Sequence, residues 1–274
     1  MYRVRMNGLV TTQKLNTLTL SRGDIVISGR QPYQMGHAEN IGMRPTMEDS
    51  MTIVGNFLGP NTSFYGLYDG HGGSQVARMA ARQIHKTIAE KYGIVEKLPE
   101  VIKETIKTLN NTYVNKFLEQ GSTMAIAIVV KDMIYTANLG DSRVVIVDKV
   151  GNVKRMTYDH RASDPDEKKK VEKLGGFIED GRVLGCLMLS RALGDGAISN
   201  YLIQEPYMNK TPKKDGMIMI LACDGVWDVM SDIEAARLAR INRVPKEAAQ
   251  AIIDEALRRG TTDNVSCMVV KFTD

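Results

Sequence analysis

The chain has 274 residues, 43% of them hydrophobic and 25% charged, the balance of a soluble globular protein long enough for one large domain or two small ones. Its 36 basic and 32 acidic residues leave a net charge of +4, too even to imply a nucleic-acid partner, and no stretch approaches the ~20 apolar residues of a membrane span. The three cysteines, Cys186, Cys223 and Cys267, lack paired spacing, which argues against a disulfide framework and fits a reducing, cytoplasmic or nuclear compartment; each lies in or beside an apolar run and is expected to be buried packing.

In chain order, residues 1–23 carry Arg3, Arg5, Lys14 and Arg22 and no acid, a loose likeness to an organelle-targeting peptide. Leu15, Leu18, Leu20, Ile25 and Ile27 sit in β-type runs, so opening strands are the preferred reading. Residues 50–55 and 63–68 read as strands, the second ending at Asp69. Gly70-His71-Gly72-Gly73 makes a turn and residues 74–91 a helix. A second helix follows, with Ile102, Ile106, Leu109, Tyr113 and Phe117 spaced by three and four. Residues 123–130, 133–138 and 143–148 are expected to be successive strands joined by Lys131-Asp132 and Gly140-Asp141 turns.

Asp164-Pro165-Asp166-Glu167 opens a helix with a capping aspartate, proline in the first position and acids at the positive dipole end; Gly175-Gly176 closes it. Lys168-Lys169-Lys170, between acids in that helix, reads as a solvated face. Residues 217–223 form a buried strand stopping at Asp224, Ser231 and Glu234 a capping box, Pro245 the start of another helix and 265–272 a closing strand. This order suggests sheets covered by helices on both faces.

Five acidic segments fall where apolar runs open into loops: Met47-Glu48-Asp49, Asp69-Gly70-His71-Gly72-Gly73, Gly140-Asp141-Ser142-Arg143, Cys223-Asp224-Gly225-Val226-Trp227-Asp228 and Thr262-Asp263-Asn264. So many carboxylates in one cavity need hard cations. Each segment also has a plainer reading. The Asp69 motif can be a glycine-rich turn, Arg44 with Glu48 and Asp49 a surface ion pair, and Gly140-Asp141 a hairpin turn. Asp224, Asp228 and Asp263 can be caps or turn residues, and Asp195 is similarly ambiguous. Pro45 pushes Arg44 into an extended conformation, and in an extended run Glu48 and Asp49 point to opposite sides. His160 reads as structural. Spacings for structural zinc, a nucleotide loop or a serine nucleophile elbow are absent.

Taken in order, Arg44 with Met47-Glu48-Asp49, Tyr68-Asp69-Gly70-His71-Gly72-Gly73, Gly121-Ser122-Thr123, Asn138-Leu139-Gly140-Asp141-Ser142-Arg143, Asp159-His160, Leu189-Ser190-Arg191-Ala192-Leu193-Gly194-Asp195, Leu221-Ala222-Cys223-Asp224-Gly225-Val226-Trp227-Asp228 and Asp263-Asn264 resemble the motifs of the metal-dependent protein phosphatase family, the type 2C serine/threonine phosphatases. The resemblance runs from about Gly36 to Phe272. It implies an α+β fold, a four-layer α-β-β-α sandwich of two mostly antiparallel sheets flanked by helix pairs, with residues 1–274 one monomeric catalytic domain.

It further implies hydrolysis of phosphoserine and phosphothreonine in protein substrates by water activated at a binuclear Mn²⁺ or Mg²⁺ site. Asp69 would bridge the ions, Asp224 and Asp263 would hold the first, and Glu48 and the carbonyl of Gly70 the second. Asp141, with Asp228 nearby, would help bind a weaker third. Asp49 would orient water, Arg44 clamp the phosphate and His71 serve as general acid. Two departures stand out. The stretch after Asp195 reaches Gln204-Glu205-Pro206 quickly, so a flap beside the site would be short, and Met43 precedes Arg44 where many relatives carry tryptophan. The competing readings are an inactive phosphatase fold serving as a binding module and a hydrolase for small phosphoesters.

Overall fold

The computed structural model describes residues 22–92 and 97–272. Eleven strands build its two large sheets: β1 (Asp24–Ser28), β2 (Gln34–Asn40), β3 (Ser50–Gly55), β4 (Ser63–Tyr68), β5 (Met124–Val130), β6 (Met133–Leu139), β7 (Arg143–Val147), β8 (Val153–Arg155), β9 (Tyr207–Pro212), β10 (Met217–Ala222) and β11 (Val265–Phe272). One sheet has the order β1-β3-β4-β5-β6-β9 and the other β8-β7-β10-β11-β2. Neighbours are antiparallel except β1 and β3, which run parallel. Ile25 and Ile27 do lie on a strand, β1; Leu15, Leu18, Leu20 and the basic residues up to Lys14 fall outside the described residues.

Side-chain alternation along each strand assigns one set of residues to the space between the sheets and the other to the helices. On β5, Ala125, Ala127 and Val129, with Met51 and Leu67 of the same sheet, face the opposite sheet and pack with its Met219, Leu221, Met268 and Val270. Met124, Ile126, Ile128 and Val130 face outward. They are covered by α1 (Gln75–Lys91) and α2 (Leu98–Lys116), which bury Ala77, Ala80, Ala81, Ile84, Ile102, Ile106 and Tyr113. Strands buried on both faces are apolar almost without interruption, which is why β3, β4 and β5 are buried throughout.

A nine-residue helix, α3 (Pro165–Lys173), and a single turn, α4 (Asp224–Trp227), precede the other outer pair. That pair, α5 (Asp232–Ile241) and α6 (Pro245–Arg258), packs Ala235, Ala239, Ala249, Ile252 and Ile253 on Ile218, Ile220, Val265 and Cys267 of the second sheet. The four-layer α-β-β-α sandwich is therefore present. The expected caps are formed as well: Asp164 accepts from the Asp166 and Glu167 amides, and Ser231 and Glu234 close a reciprocal capping box.

Two details differ from the sequence expectation. Gly140 and Asp141 do not form a hairpin turn, because β6 and β7 belong to different sheets; the segment crosses between them. Gly140 does so at φ +86°, and an added Cβ would lie 2.7 Å from Thr123 Cγ2. Cys223 and Cys267 are buried, but Cys186 is exposed, because its short apolar run lies on a surface loop outside both sheets.

Between α3 and β9 the chain is tied down by a buried ion pair. Arg191 Nε and Nη2 grip the Glu167 carboxylate at 2.8 and 2.6 Å, and Ser190 Oγ and Lys170 Nζ donate to it at 2.7 and 2.8 Å. Burial alone would raise the Glu167 carboxyl, yet the bonds from Arg191, Lys170 and Ser190 outweigh it and take it down to about 2. A carboxyl lowered in the fold adds stability above its ordinary value of 4.5, and that stability is lost as pH falls toward about 2. Glu167→Gln leaves Arg191 without its charge partner and is expected to cost about 3 kcal/mol. A melting temperature at neutral pH within a degree of wild type would disprove it.

Candidate active site

Strand register gathers the acidic segments at one end of the sandwich. Ser50 pairs with Tyr68, Met124 with Leu139, and Ala222 with both Cys267 and Arg143. The residues just beyond these pairs therefore emerge together: Glu48 and Asp49 before β3, Asp69 after β4, Asp141 after β6, Asp224 after β10 and Asp263 before β11. They border a cleft of about 470 Å³ lined by Arg44, Glu48, Asp69, Gly70, His71, Asp141, Asp224, Asp228 and Asp263. Asp49 lies beneath the cleft, buried, in contact range of Asp69.

The loops carrying these groups are pinned by neutral donors and acceptors. Asp69 N–H donates to Thr123 Oγ1 (3.1 Å), and its carbonyl accepts from Thr123 N–H (2.8 Å) and Ser122 Oγ (3.1 Å). Asn264 clasps the Arg44 loop: its Oδ1 accepts from Glu48 N–H (2.8 Å), and its Nδ2 donates to the Ile41 and Thr46 carbonyls (2.9 and 3.0 Å). Glu48 in turn accepts from Gly73 N–H (3.0 Å) and Thr46 Oγ1 (2.9 Å). Gly70 is a close-approach position, since a Cβ there would sit 2.6 Å from the Glu48 carbonyl oxygen.

Burial is the first reason that Asp224, Asp69, Asp49 and Asp141 resist ionisation. It pushes Asp224 up to about 8, with Asp141, Asp263, Asp228 and Asp49 adding repulsion. Asp69 is driven well above the carboxylate range by burial and then by Asp49, Asp224, Asp141 and Asp263. Asp49 rises to about 7 through burial; Ser266 and Cys223 approach and offset part of that, but neither closes a hydrogen bond, and both carboxylate oxygens stay unpartnered. Asp141 rises to about 6, burial outweighing the attraction of Arg161.

A cavity that concentrates hard oxygen donors in this condition fits hard divalent cations. Asp49, Asp69 and Cys223 offer ligand atoms within 4.8 Å of one another. Of these the thiol is the misfit: burial holds it well above its ordinary range, Sγ donates to the Asn264 carbonyl (3.4 Å) and it accepts from Ser266 N–H (3.1 Å). Soft and occupied, Cys223 is packing behind the carboxylates.

Arg44, 57% exposed at the rim, donates to Asp263 Oδ2 at 2.6 Å. His71 Nε2 lies 2.9 Å from both oxygens of Asp195. Arg161, unremarked in the sequence, joins Asp141 (3.1 Å) to Asp228, and no periodicity or spacing distinguishes it there from a surface arginine. Arg182, Leu187, Met188 and Leu189 also line the cleft. The wall beside the site thus comes from residues 182–189, before Ser190, and not from the stretch after Asp195, where any flap was expected to be short. Its hydrophobic members carry no pattern that predicts exposure at a cleft.

Other motif residues turn out to be scaffolding. Arg143 is buried, bonds Asp159 (3.1 and 2.5 Å) and Asp232 (2.5 Å), and stacks 4.8 Å from the Trp227 ring. His160 is buried with Nδ1 3.1 Å from the Gly140 carbonyl, and burial lowers it to about 3, so it stays neutral.

Compared with known proteins, residues 33–265 match the family model for protein phosphatase 2C. Over 263 residues the chain is 34% identical to Protein phosphatase 2C homolog 1 of Saccharomyces cerevisiae, covering 87% of this chain and 93% of that one. It is 32% identical over 270 residues to Probable protein phosphatase 2C 71 of Arabidopsis thaliana, covering 93% of this chain but only 58% of that protein's length. Among solved structures, the serine-threonine phosphatase 2C from Toxoplasma gondii shares the fold with a TM-score of 0.79 at 24% identity, covering 89% of this chain and 96% of that one.

Proposed function

Because this chain belongs to the protein phosphatase 2C family of serine/threonine phosphatases, we propose that it hydrolyses phosphoserine and phosphothreonine in protein substrates by direct attack of water, with Mn²⁺ or Mg²⁺ in the acidic cleft. The observation that carries the metal dependence is the gathering of Asp69, Asp141, Asp224 and Asp263 around one cavity, three of them pushed upward by burial and mutual repulsion. Asp69 would be shared by two ions, with Asp224 and Asp263 on one side and Glu48 and the Gly70 carbonyl on the other. Asp141 and Asp228 would serve a weaker third site, in competition with Arg161. When bound, two such ions supply positive charge for the phosphate and lower the pKa of water toward neutrality.

The chain's own groups divide the remaining work. Arg44 has the planar fork that matches two phosphate oxygens, and its place at the exposed rim lets it meet an incoming phosphoryl group. Asp49, buried below with free oxygens, can accept a proton or hold a water in line. His71, at the cleft edge, can give a proton to the departing serine or threonine oxygen. No covalent phosphoenzyme is required, since the nearby Cys223 thiol is held protonated and hydrogen-bonded. Among the described residues no helix is long and apolar enough to cross a membrane, and we take the chain to act as a monomer on phosphoproteins.

The test is hydrolysis of a phosphothreonine peptide with Mn²⁺ or Mg²⁺, beside EDTA and the Asp224→Asn protein. Metal-dependent turnover, lost in the variant and exceeding turnover of small metabolic phosphoesters, is expected. A folded protein inactive with either metal would support the binding-module reading, and faster turnover of the small esters would support the metabolic hydrolase.

A further inference from the structure

Asp195 ends the Leu-Gly-Asp motif and has no part in the scheme above, yet the fold spends considerable structure on it. Gly121–Ser122 is the central strand of a small three-stranded sheet, with Gly70–His71 on one side and Leu193–Gly194 on the other. His71 pairs with Gly121 across one edge and Gly194 pairs with it across the other, so Asp195 and His71 approach each other over the face of Gly121. Only glycine permits this: an added Cβ at 121 would lie 2.1 Å from Asp195 Oδ2 and 2.4 Å from His71 Nε2.

Asp195 itself sits at φ +52°, a left-handed conformation uncommon outside glycine, asparagine and aspartate. Such strain persists only where surroundings over-determine it. Here its amide donates to the Gln120 carbonyl (2.8 Å), Gly194 N–H to Asn110 Oδ1 (2.8 Å) and Gly196 N–H to the Phe117 carbonyl (2.9 Å). The side chain is 8% exposed and directs both oxygens, each at 2.9 Å, to the one nitrogen of a half-buried imidazole.

We infer that Asp195 is the positioning residue for His71: it accepts the Nε2 proton, fixes the ring's orientation and leaves Nδ1 as the nitrogen that serves the leaving group. The inference rests on His71 acting as the general acid. In the step, a water oxygen bonds to phosphorus and loses a proton to solvent, while the ester P–O bond breaks. The electron pair left on the serine or threonine oxygen takes the Nδ1 proton. The imidazole keeps its Nε2–H on Asp195 and regains the Nδ1 proton from solvent. A carboxylate behind a catalytic histidine contributes by holding tautomer and orientation, without itself being protonated.

Asparagine and glycine both accept a left-handed conformation, so Asp195→Asn and Asp195→Gly remove the carboxylate while respecting the turn. Two substrates separate proton donation from the rest of the reaction: a phosphothreonine peptide, whose alkoxide needs a proton, and p-nitrophenyl phosphate, whose phenolate leaves without one. With saturating Mn²⁺, the peptide kcat is expected to fall on the order of 10²-fold in both variants. The p-nitrophenyl phosphate kcat should stay within about threefold and Mn²⁺ affinity by calorimetry should not change. The double variant His71→Gln/Asp195→Asn should be no slower on the peptide than His71→Gln, since residues acting as a unit are not additive. Equal losses on both substrates, or additive losses in the double variant, would overturn the pairing and leave Asp195 a structural turn residue. A wild-type protein inactive on both substrates would overturn the phosphatase reading and this inference with it.

Discussion

Asp69→Asn should leave a folded protein whose turnover of a phosphothreonine peptide with saturating Mn²⁺ is reduced on the order of 10³-fold. Asp69 is the carboxylate that follows β4, held by Thr123 and Ser122 through its backbone and surrounded by Asp49, Asp141, Asp224 and Asp263. If it bridges two ions, an amide cannot replace it, since it carries no charge to share between them. The same change should stabilise the metal-free protein, because burial and four neighbouring acids oppose the ionised form of Asp69. Activity and stability would thus move in opposite directions, as expected where a site stores repulsion for a ligand. Turnover within a few-fold of wild type would remove Asp69 from the metal site. A destabilised variant in EDTA would mean that its carboxylate is structural.

Without divalent ions the wild-type protein should lose stability as pH rises from about 5 to 8.5. Burial, aided by like charge, raises Asp141 to about 6, Asp49 to about 7 and Asp224 to about 8 from an ordinary 3.8. A carboxyl raised in the fold binds its proton more tightly there than in the unfolded chain. Its penalty is therefore absent below about 3.8 and grows until pH passes the folded value. Mn²⁺ competes with those protons, so its stabilisation should be largest at the alkaline end. An ion at a hundred times its dissociation constant adds about 2.7 kcal/mol, and for a chain of this size each kcal/mol moves the melting temperature by roughly 2–4 °C. A rise of roughly 5–10 °C at pH 8, and a smaller one at pH 5.5, is expected in thermal scans with and without Mn²⁺. A melting temperature indifferent to the ion at both pH values would exclude cation binding by these residues. The Glu167–Arg191 pair acts in a separate window, below pH 4.5, and with the opposite sign.

The main elements were legible because their signals are local. Unbroken apolar runs mark β5 and β10, three-and-four spacing marks α2, and Asp164-Pro165 and Ser231 with Glu234 announce helix starts through bonds made within a few residues. The carboxylates were legible for a related reason. Each stands where a strand opens into a loop, and the family's motif order tied them together before any distance was known. Arg161, by contrast, has only charge to mark it, and charge is common on surfaces. The wall at residues 182–189 and the exposure of Cys186 depend on where a loop settles, which apolar content alone does not state.

By itself the sequence determined most of the elements, though not β2, β8 or β9, together with the helix caps and the set of acids at strand ends, since these follow from propensity, periodicity and bonds between near neighbours. Tertiary structure decided which groups meet. Strand register placed Ser50 opposite Tyr68 and Ala222 opposite Cys267, bringing Glu48, Asp69, Asp224 and Asp263 to one rim. Crossing from one sheet to the other carried Asp141 toward Arg161, and a bare glycine at 121 let Asp195 reach His71. Such meetings join positions far apart in the chain through backbone pairing, so their distances exist only once both sheets have formed.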